Sequence, residues 1–556
     1  MLFTTSINMA ATLVAYVTVS CHLQRVLPRV ACCATASGAA SLSCEGLQKV
    51  RLPHVACCAT ASAPPLRLHW RHRTAPVLAN LAPTWEALQE QLLATPTGRQ
   101  LQADGEQRAI GSGPPHTDAS LRLFDAEDEA DVRVTLYRDD SAWCPYCQKV
   151  WMLLEEKRIP HRVTKVPMNA YGDKPAWFTR KVDGGKLPAI ELDGELHVES
   201  MVIMELLDDA YPQRPSMRPV AGSAEDERAS ALLFLERELQ RDWFSLVFYP
   251  VEGEELVQAD ARLRATLDRV DDALAASPGP WFLGGAAPSL VDLQFVTHME
   301  RIVASVFYWK GLDLRGADGH WQHIERWLVA FEERPAYLAT KSDFYTHAMD
   351  LPPQNGPGYS VEAAAAAAAQ VDGFDGAWSL PIELGSGAEK LPPLQAATGE
   401  EGARHEAAFE LIMNYANVVQ FAARGASEPG KPAFHAELAD PNAEPNVDFL
   451  LPVDVALRHV AAALLDGTGA AVKAARADLE GSGGDGELAE GWEAYEASGR
   501  IYYWNDVTGE TMWTPPTRQL DACLAYLRDR VGVPRDMSQP AAMMLRAHLN
   551  WAIGLL

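Results

Sequence analysis

Acidic residues are almost missing from the first 85 positions, which hold seven Lys or Arg and the single acid Glu45. The rest of the chain reverses this, with 41 basic against 73 acidic residues, and the whole carries a net charge of −26. A chain of that sign repels phosphate backbones, so nucleic acid is not an expected partner. Long hydrophobic runs are also missing. Beyond the amino terminus no uncharged apolar stretch approaches the roughly 18 residues that cross a bilayer, and no integral membrane segment is expected. Cysteine is scarce after the leader: six of the nine (positions 21, 32, 33, 44, 57 and 58) lie within it, which leaves Cys144, Cys147 and Cys523. Three are too few for a disulfide framework and fit a reducing compartment.

The acid-poor leader is rich in Ala, Ser, Thr and Arg, the composition of an organellar transit peptide. A secretory signal around the apolar run Met9–Val19 is the second reading. It contains a near-duplicate, LQRVLPRVACCATAS from Leu23 and LQKVRLPHVACCATAS from Leu47. A repeat confined to a removable leader stacks no apolar face on its neighbour and builds no solenoid. Its paired cysteines have no His or carboxylate spaced to complete a metal site, and no metal is expected.

With 48% apolar and 22% charged residues the chain can fill packed cores, and its 556 residues suggest about three to five units. Residues 1–82 are read as the leader and 83–130 as an extension with one amphipathic docking helix (Trp85, Leu88, Leu92, Leu93) and a Gly/Pro loop. Over 131–215 the order is strand (VRVTLY), helix, strand (HRVTKV), a hairpin around Asp193-Gly194, and helix: a compact α/β domain. Residues 220–350 show only the 3.6 period and form an all-α unit. A linker is placed at 351–398, a helical extension at 399–475, a second linker at 476–487, a small all-β module at 488–518 and a last helical segment at 519–556. The segments flanking that module look like halves of one helical domain into which it was inserted.

The chemistry concentrates at Cys144-Pro145-Tyr146-Cys147, between a strand and a helix. A thiol at a helix amino terminus faces unpaired N–H groups and the positive end of the helix dipole, so thiolate accumulates near neutral pH. Pro145 suits the first turn because it has no N–H to leave unpaired. Cys144 is read as the exposed nucleophile and Cys147, one turn on, as the resolving thiol. Trp143 shields the thiolate or packs on bound ligand, or else is a core or rim aromatic. A zinc half-site is the lesser alternative, since no second CxxC or His pair accompanies the motif.

This motif, with Leu187-Pro188 opening a later strand and Glu199-Ser200 opening a helix, resembles the thioredoxin-like domain of cysteine-type glutathione transferases. The string RDDSAWCPYCQKVWMLLEEKRIP is most similar to the iota-type members of photosynthetic organisms, with omega-like features. The all-α unit resembles their second domain, in which Ser289 and Asp292 would cap a buried helix. The resemblance implies glutathione as co-substrate. Leu187 and cis Pro188 would face its cysteinyl part, Glu199 its ammonium and Ser200 its γ-glutamyl carboxylate, while Lys174 would contact its glycine or be merely a surface lysine. A Cys in place of the Tyr or Ser of conjugating transferases implies a covalent mixed disulfide. The implied activity is thiol transfer or reduction. The alternatives are a non-catalytic glutathione-binding adaptor and conjugation of electrophiles. The resemblance also implies a chloroplast address, with mitochondrion or cytoplasm as alternatives.

The segment GWEAYEASGRIYYWNDVTGETMWTPP resembles a WW domain, which binds proline-rich peptides in the polyproline II form. Trp492, Tyr503 and Pro516 would make its core, and Tyr502 with Trp513 its groove. Asp506 stands where PPxY-binding members carry His, and a ligand-free structural role is the alternative. Cys523, with Leu520, Leu524 and Leu527 at helical spacing, is read as core.

Overall fold

The computed structural model describes residues 81–169, 171–316, 319–382, 389, 399–427, 443–480 and 520–556, together with the backbone of three strands between 492 and 512. The leader before Leu81, the linker after Glu480, Asp506, Trp513 and Pro516 lie outside the described residues, and of Tyr502 only the strand backbone is described.

Two helices open the described chain where one was expected, α1 (Trp85–Ala94) and α2 (Pro96–Ala109). The break is local in origin. Thr95 ends α1 in extended conformation and its Oγ1 accepts the Gly98 N–H at 2.9 Å, while Pro96 starts the next helix.

A five-stranded sheet follows, built from β1 (Leu121–Arg122), β2 (Val134–Asp139), β3 (His161–Val166), β4 (Ala189–Leu192) and β5 (Glu195–Val198) in the order β1-β3-β2-β4-β5. β2 runs parallel to β3 in register Val134↔His161 and antiparallel to β4 in register Val134↔Leu192. Asp193 and Gly194 both take positive φ in the β4–β5 turn, as a two-residue hairpin requires. The short edge strand β1 is an addition to the expected pattern. With helices α3 (Pro145–Glu156), α4 (Ala176–Lys181) and α5 (Ser200–Ala210) the sheet makes the thioredoxin-like domain.

Next come α6 (Ala224–Val247), α7 (Gly253–Ala275), α8 (Leu290–Lys310), α9 (Gln322–Glu332), α10 (Pro335–Leu338), α11 (Phe344–Asn355) and α12 (Ala365–Val371). Every residue of α8 from Leu290 to Trp309 is buried, so this helix is the axis of the all-α unit. One hydrophobic core runs from β2 and α3 through α8 to Val371 and Trp378. The linker expected at 351–398 is therefore corrected in its first part: the alanine run presents Ala367 and Ala368 to that core, small side chains that let α12 lie close. Gly358 permits the same close approach, since a Cβ there would stand 2.1 Å from the Trp309 ring.

A second core joins α13 (Gly399–Met413), α14 (Tyr415–Ala422), α15 (Leu450–Asp466), α16 (Thr468–Leu479), α17 (Leu520–Arg528) and α18 (Gln539–Ile553). α16 ends four residues later than the expected boundary at 475. Trp85, Leu88 and Leu92 of α1 belong to this core, and Trp85 Nε1 donates to Asp454 at 2.7 Å, so the amino-terminal helix is part of the carboxy-terminal helical body. Cys523 is fully buried in it. Between α16 and α17, β6 (Trp492–Ala497), β7 (Arg500–Asn505) and β8 (Thr511–Met512) form an antiparallel sheet in that order.

The fold predicts its own acid sensitivity. His161 is fully buried, its Nδ1 donating to the Ile159 carbonyl at 2.8 Å, and burial, with Arg122 nearby, lowers its pKa to about 4. An unfolded histidine titrates near ~6.5. The unfolded chain thus binds a proton that the folded chain refuses between those values, so stability is complete above the upper value and is lost as pH falls toward the lower one. This one group contributes on the order of 3 kcal/mol. His548, lowered to about 4 by burial, adds to the same window. Urea midpoints are expected to fall steeply from pH ~7 to ~4.5, and less steeply in His161→Phe; equal slopes would contradict the assignment.

Candidate functional site

β2 delivers the chain to the thiols. Its last residue, Asp139, is buried, and Oδ2 accepts the N–H groups of Trp143 (2.6 Å) and Cys144 (3.1 Å), folding the intervening loop back on the strand end. Ala142 takes a positive φ of 55° in that loop. Cys144 is the residue before the first turn of α3, and Pro145 begins the helix.

The two sulfurs are unequal. The Cys144 thiol is lowered first by the hydrogen bond from the Cys147 side chain, and further by the backbone N–H groups of Cys147 and Tyr146, against burial and the Asp139 charge. Cys147 is pushed well up, by burial and by its role as the donor to Cys144. Thiolate therefore collects on Cys144 while Cys147 holds the proton. One expectation is corrected: Cys144 is not an exposed nucleophile but only 8% exposed, and Cys147 1%. The all-α unit packs on the loop that carries the thiol, with α8 and α11 both bonding to Trp143.

That packing is polar. Trp143 is buried; its carbonyl accepts from the Arg301 guanidinium, and its Nε1 donates to His347 Nδ1 at 3.0 Å. An Nδ1 that accepts leaves the proton on Nε2, which donates to Glu300 Oε1 at 2.9 Å. Gln148 joins the other side, accepting from Arg301 at 2.9 Å and donating to Glu300 Oε2 at 3.0 Å. Burial pushes the Glu300 carboxyl up, but the hydrogen bond from His347 and the Arg301 guanidinium outweigh it and bring the pKa down to about 2. Burial keeps His347 neutral by lowering its pKa. Trp143 thus takes the core alternative while also bonding to the site's frame.

Near the expected glutathione residues, the Leu187–Pro188 bond is cis, Pro188 is buried and Leu187 half-buried. Glu199 is exposed with a φ of 68°, a conformation rarely held by a side-chain-bearing residue and often found at binding sites, and it pairs with Lys186 at 3.5 Å. Ser200 starts α5, half-buried. Lys174 donates to the Gly185 carbonyl, and its ammonium lies within electrostatic reach of both thiols. Lys149 on α3 is buried, donates to Gln294 at 2.6 Å and is lowered to about 8 by burial. Asp139, Cys144 and Cys147 place three possible metal-ligand atoms within 4.8 Å of one another, the one such group among the described residues. Ser289 and Asp292 open α8, with Asp292 Oδ2 accepting from Ser289 N (2.8 Å) and Oγ (2.6 Å).

Residues 143–210 match the family model described as "Glutathione S-transferase, N-terminal domain", a span that starts one residue before Cys144 and ends with α5. The chain carries a glutathione S-transferase amino-terminal domain. Residues 488–516 match the WW domain model and contain β6, β7 and β8, so the chain also carries a WW domain. The transferase part is 27% identical over 205 residues to glutathione S-transferase L1 of Arabidopsis thaliana, covering 36% of this chain and 79% of that protein. It is 27% identical over 227 residues to glutathione S-transferase omega-1 of Mus musculus, covering 39% of this chain and 84% of that one. Among solved structures it is similar to glutathione transferase Omega 3C from Trametes versicolor, at 26% identity and a TM-score of 0.33, covering 38% of this chain and 85% of that one. The part of the chain that is similar to these glutathione transferases includes α8 and α11, which supply Glu300, Arg301 and His347. Sequence reading passed over these three, and Asp139 as well. Only the position of Asp139 at the end of the strand leading into the motif gave any signal for it.

Proposed function

We propose that the chain is a glutathione-dependent thiol transferase that reduces glutathione mixed disulfides through Cys144. The observation that carries this is the inequality of the two thiols, with Cys144 lowered at the start of α3 and Cys147 raised beside it. The Cys144 thiolate attacks the glutathionyl sulfur of a mixed disulfide. A new S–S bond forms to Cys144, the old one breaks, and the substrate leaves as a thiolate that takes a proton from water. A second glutathione, as thiolate, then attacks the Cys144–glutathione bond, yielding glutathione disulfide and restoring the Cys144 thiolate. Alternatively Cys147 loses its proton and attacks Cys144, releasing glutathione and leaving an internal disulfide for two further glutathiones to reduce.

In this reading Leu187 and Pro188 receive the cysteinyl backbone of glutathione. Glu199 takes its ammonium, and Ser200 with the α5 amino terminus its γ-glutamyl carboxylate. Lys174 would exchange the Gly185 carbonyl for the glycine carboxylate. The WW domain would recruit a proline-rich partner through Tyr502 and Trp513, and the acid-poor leader would direct the chain to a chloroplast.

The test is turnover of a small glutathione mixed disulfide by the full chain with reduced glutathione, beside conjugation of an aromatic electrophile. Reduction with little conjugation is expected. Conjugation that outpaces reduction would overturn the reading, and binding of glutathione without either reaction would favour an adaptor that works through its WW domain.

A further inference from the structure

Between them, five of the six residues from Ser342 to His347 bond in two directions. On one side they meet the carboxy-terminal helical body. Asp343, which precedes α11, takes the Thr346 N–H on Oδ1 at 2.9 Å and the Arg546 guanidinium on Oδ2 at 2.7 Å. Both side chains of that ion pair are buried, Arg546 also donates to the Val531 carbonyl at 2.8 Å, and its guanidinium lies 4.6 Å from the Tyr345 ring centre. The Ser342 hydroxyl donates to the Val533 carbonyl, and Val533 N donates to Thr346 Oγ1 at 3.1 Å. Tyr345 reaches the Asp529 carbonyl at 3.0 Å.

On the other side the same short stretch holds the thiol loop. Ser342 N donates to Glu300 Oε1 at 2.9 Å, the oxygen that His347 Nε2 also uses, and His347 Nδ1 takes the Trp143 indole N–H. Two hydrogen bonds, Arg546 to Asp343 and Trp143 to His347, therefore link Arg546 through the first turn of α11 to the residue next to the nucleophile.

We infer that the carboxy-terminal helical body is a positioning element of the thiol site: Arg546 and Val533 fix the start of α11, so that His347 and Glu300 hold Trp143 and with it the geometry of Cys144. The Trp143 loop sets where Cys144 stands relative to the Tyr146 and Cys147 N–H groups in the first turn of α3, and a thiolate's stability falls quickly as such donors move out of line. The charged groups around Cys144, namely Asp139, Arg301, Lys149 and Lys174, lie outside the body that does the positioning.

The inference rests on the proposed role of Cys144 only in naming which thiol to watch, and its test does not use turnover. Iodoacetamide alkylation of Cys144 in the full chain, read by peptide mass spectrometry across pH, reports thiolate directly. Two variants address the contact: Ser342→Ala/Thr346→Val, which removes hydroxyls without stranding charge, and Arg546→Met/Asp343→Asn, which removes the buried pair together. Each is expected to slow alkylation by about threefold or more at about pH 6 and to move its midpoint upward while far-ultraviolet circular dichroism stays unchanged. Combined with His347→Phe, the loss should be smaller than the product of the separate losses, because both act through Trp143. Should the charge-pair variant not fold, the hydroxyl variant decides alone. Wild-type alkylation profiles in folded variants would overturn the inference. A wild-type chain that alkylates readily at Cys144 yet reduces no mixed disulfide would contradict the proposed function and leave the positioning intact.

Discussion

Cys144→Ser is expected to lower reduction of a glutathione mixed disulfide by at least about a thousandfold. A serine hydroxyl ionises far above neutral pH, and its oxygen forms no stable mixed intermediate with sulfur, so neither half of the reaction remains. Cys147→Ser should behave quite differently and keep turnover within about tenfold of the wild type. A serine hydroxyl can still donate the hydrogen bond that lowers Cys144, and a second glutathione can resolve the intermediate without Cys147. Steady-state rates with saturating glutathione check both. Residual activity of more than about a tenth in Cys144→Ser would remove that residue from the mechanism.

The second large effect is structural. Asp292 is fully buried at the start of α8 and satisfies four donors: Phe282 N and Trp327 Nε1 at 3.0 Å each on Oδ1, and Ser289 N and Oγ on Oδ2. Alanine would leave the Phe282 N–H and the Trp327 indole unpaired in a dry interior and would uncap α8 at the half-buried Ser289, at a cost of about 3–5 kcal/mol. Because α8 also carries Glu300 and Arg301, the loss would reach the thiol loop. Asp292→Ala is expected to unfold at markedly lower urea, with Asp292→Asn in between because its oxygen still accepts; a loss below about 1 kcal/mol would contradict the packing described.

What the sequence made legible was local. The motif Cys144 to Cys147 places its own thiols, proline and helix dipole within a few residues, and the Asp193-Gly194 turn sets its own hairpin. Asp139 was missed although it stands five residues from Cys144, because a carboxylate at a strand end looks like any solvated acid until its burial is seen. His347 meets Trp143 from 204 positions away, a separation at which neither spacing nor periodicity carries a signal. The stretch after residue 350 read as a linker because its Pro and Gly suggest loops and an alanine run has no amphipathic contrast. Small side chains packed against α8 needed none. Trp85 finds its place through Asp454, 369 residues on, and through the Tyr415 ring stacked on it at 4.8 Å.

The central claim is that Cys144 itself becomes covalently joined to glutathione. The most direct measurement is mass spectrometry of the Cys147→Ser chain after brief exposure to glutathione disulfide, with peptides separated so that each cysteine is read alone. One glutathionyl group on the peptide bearing Cys144, removed by reduced glutathione, is the expected result. An unmodified Cys144, or an adduct confined to other cysteines, would contradict the account.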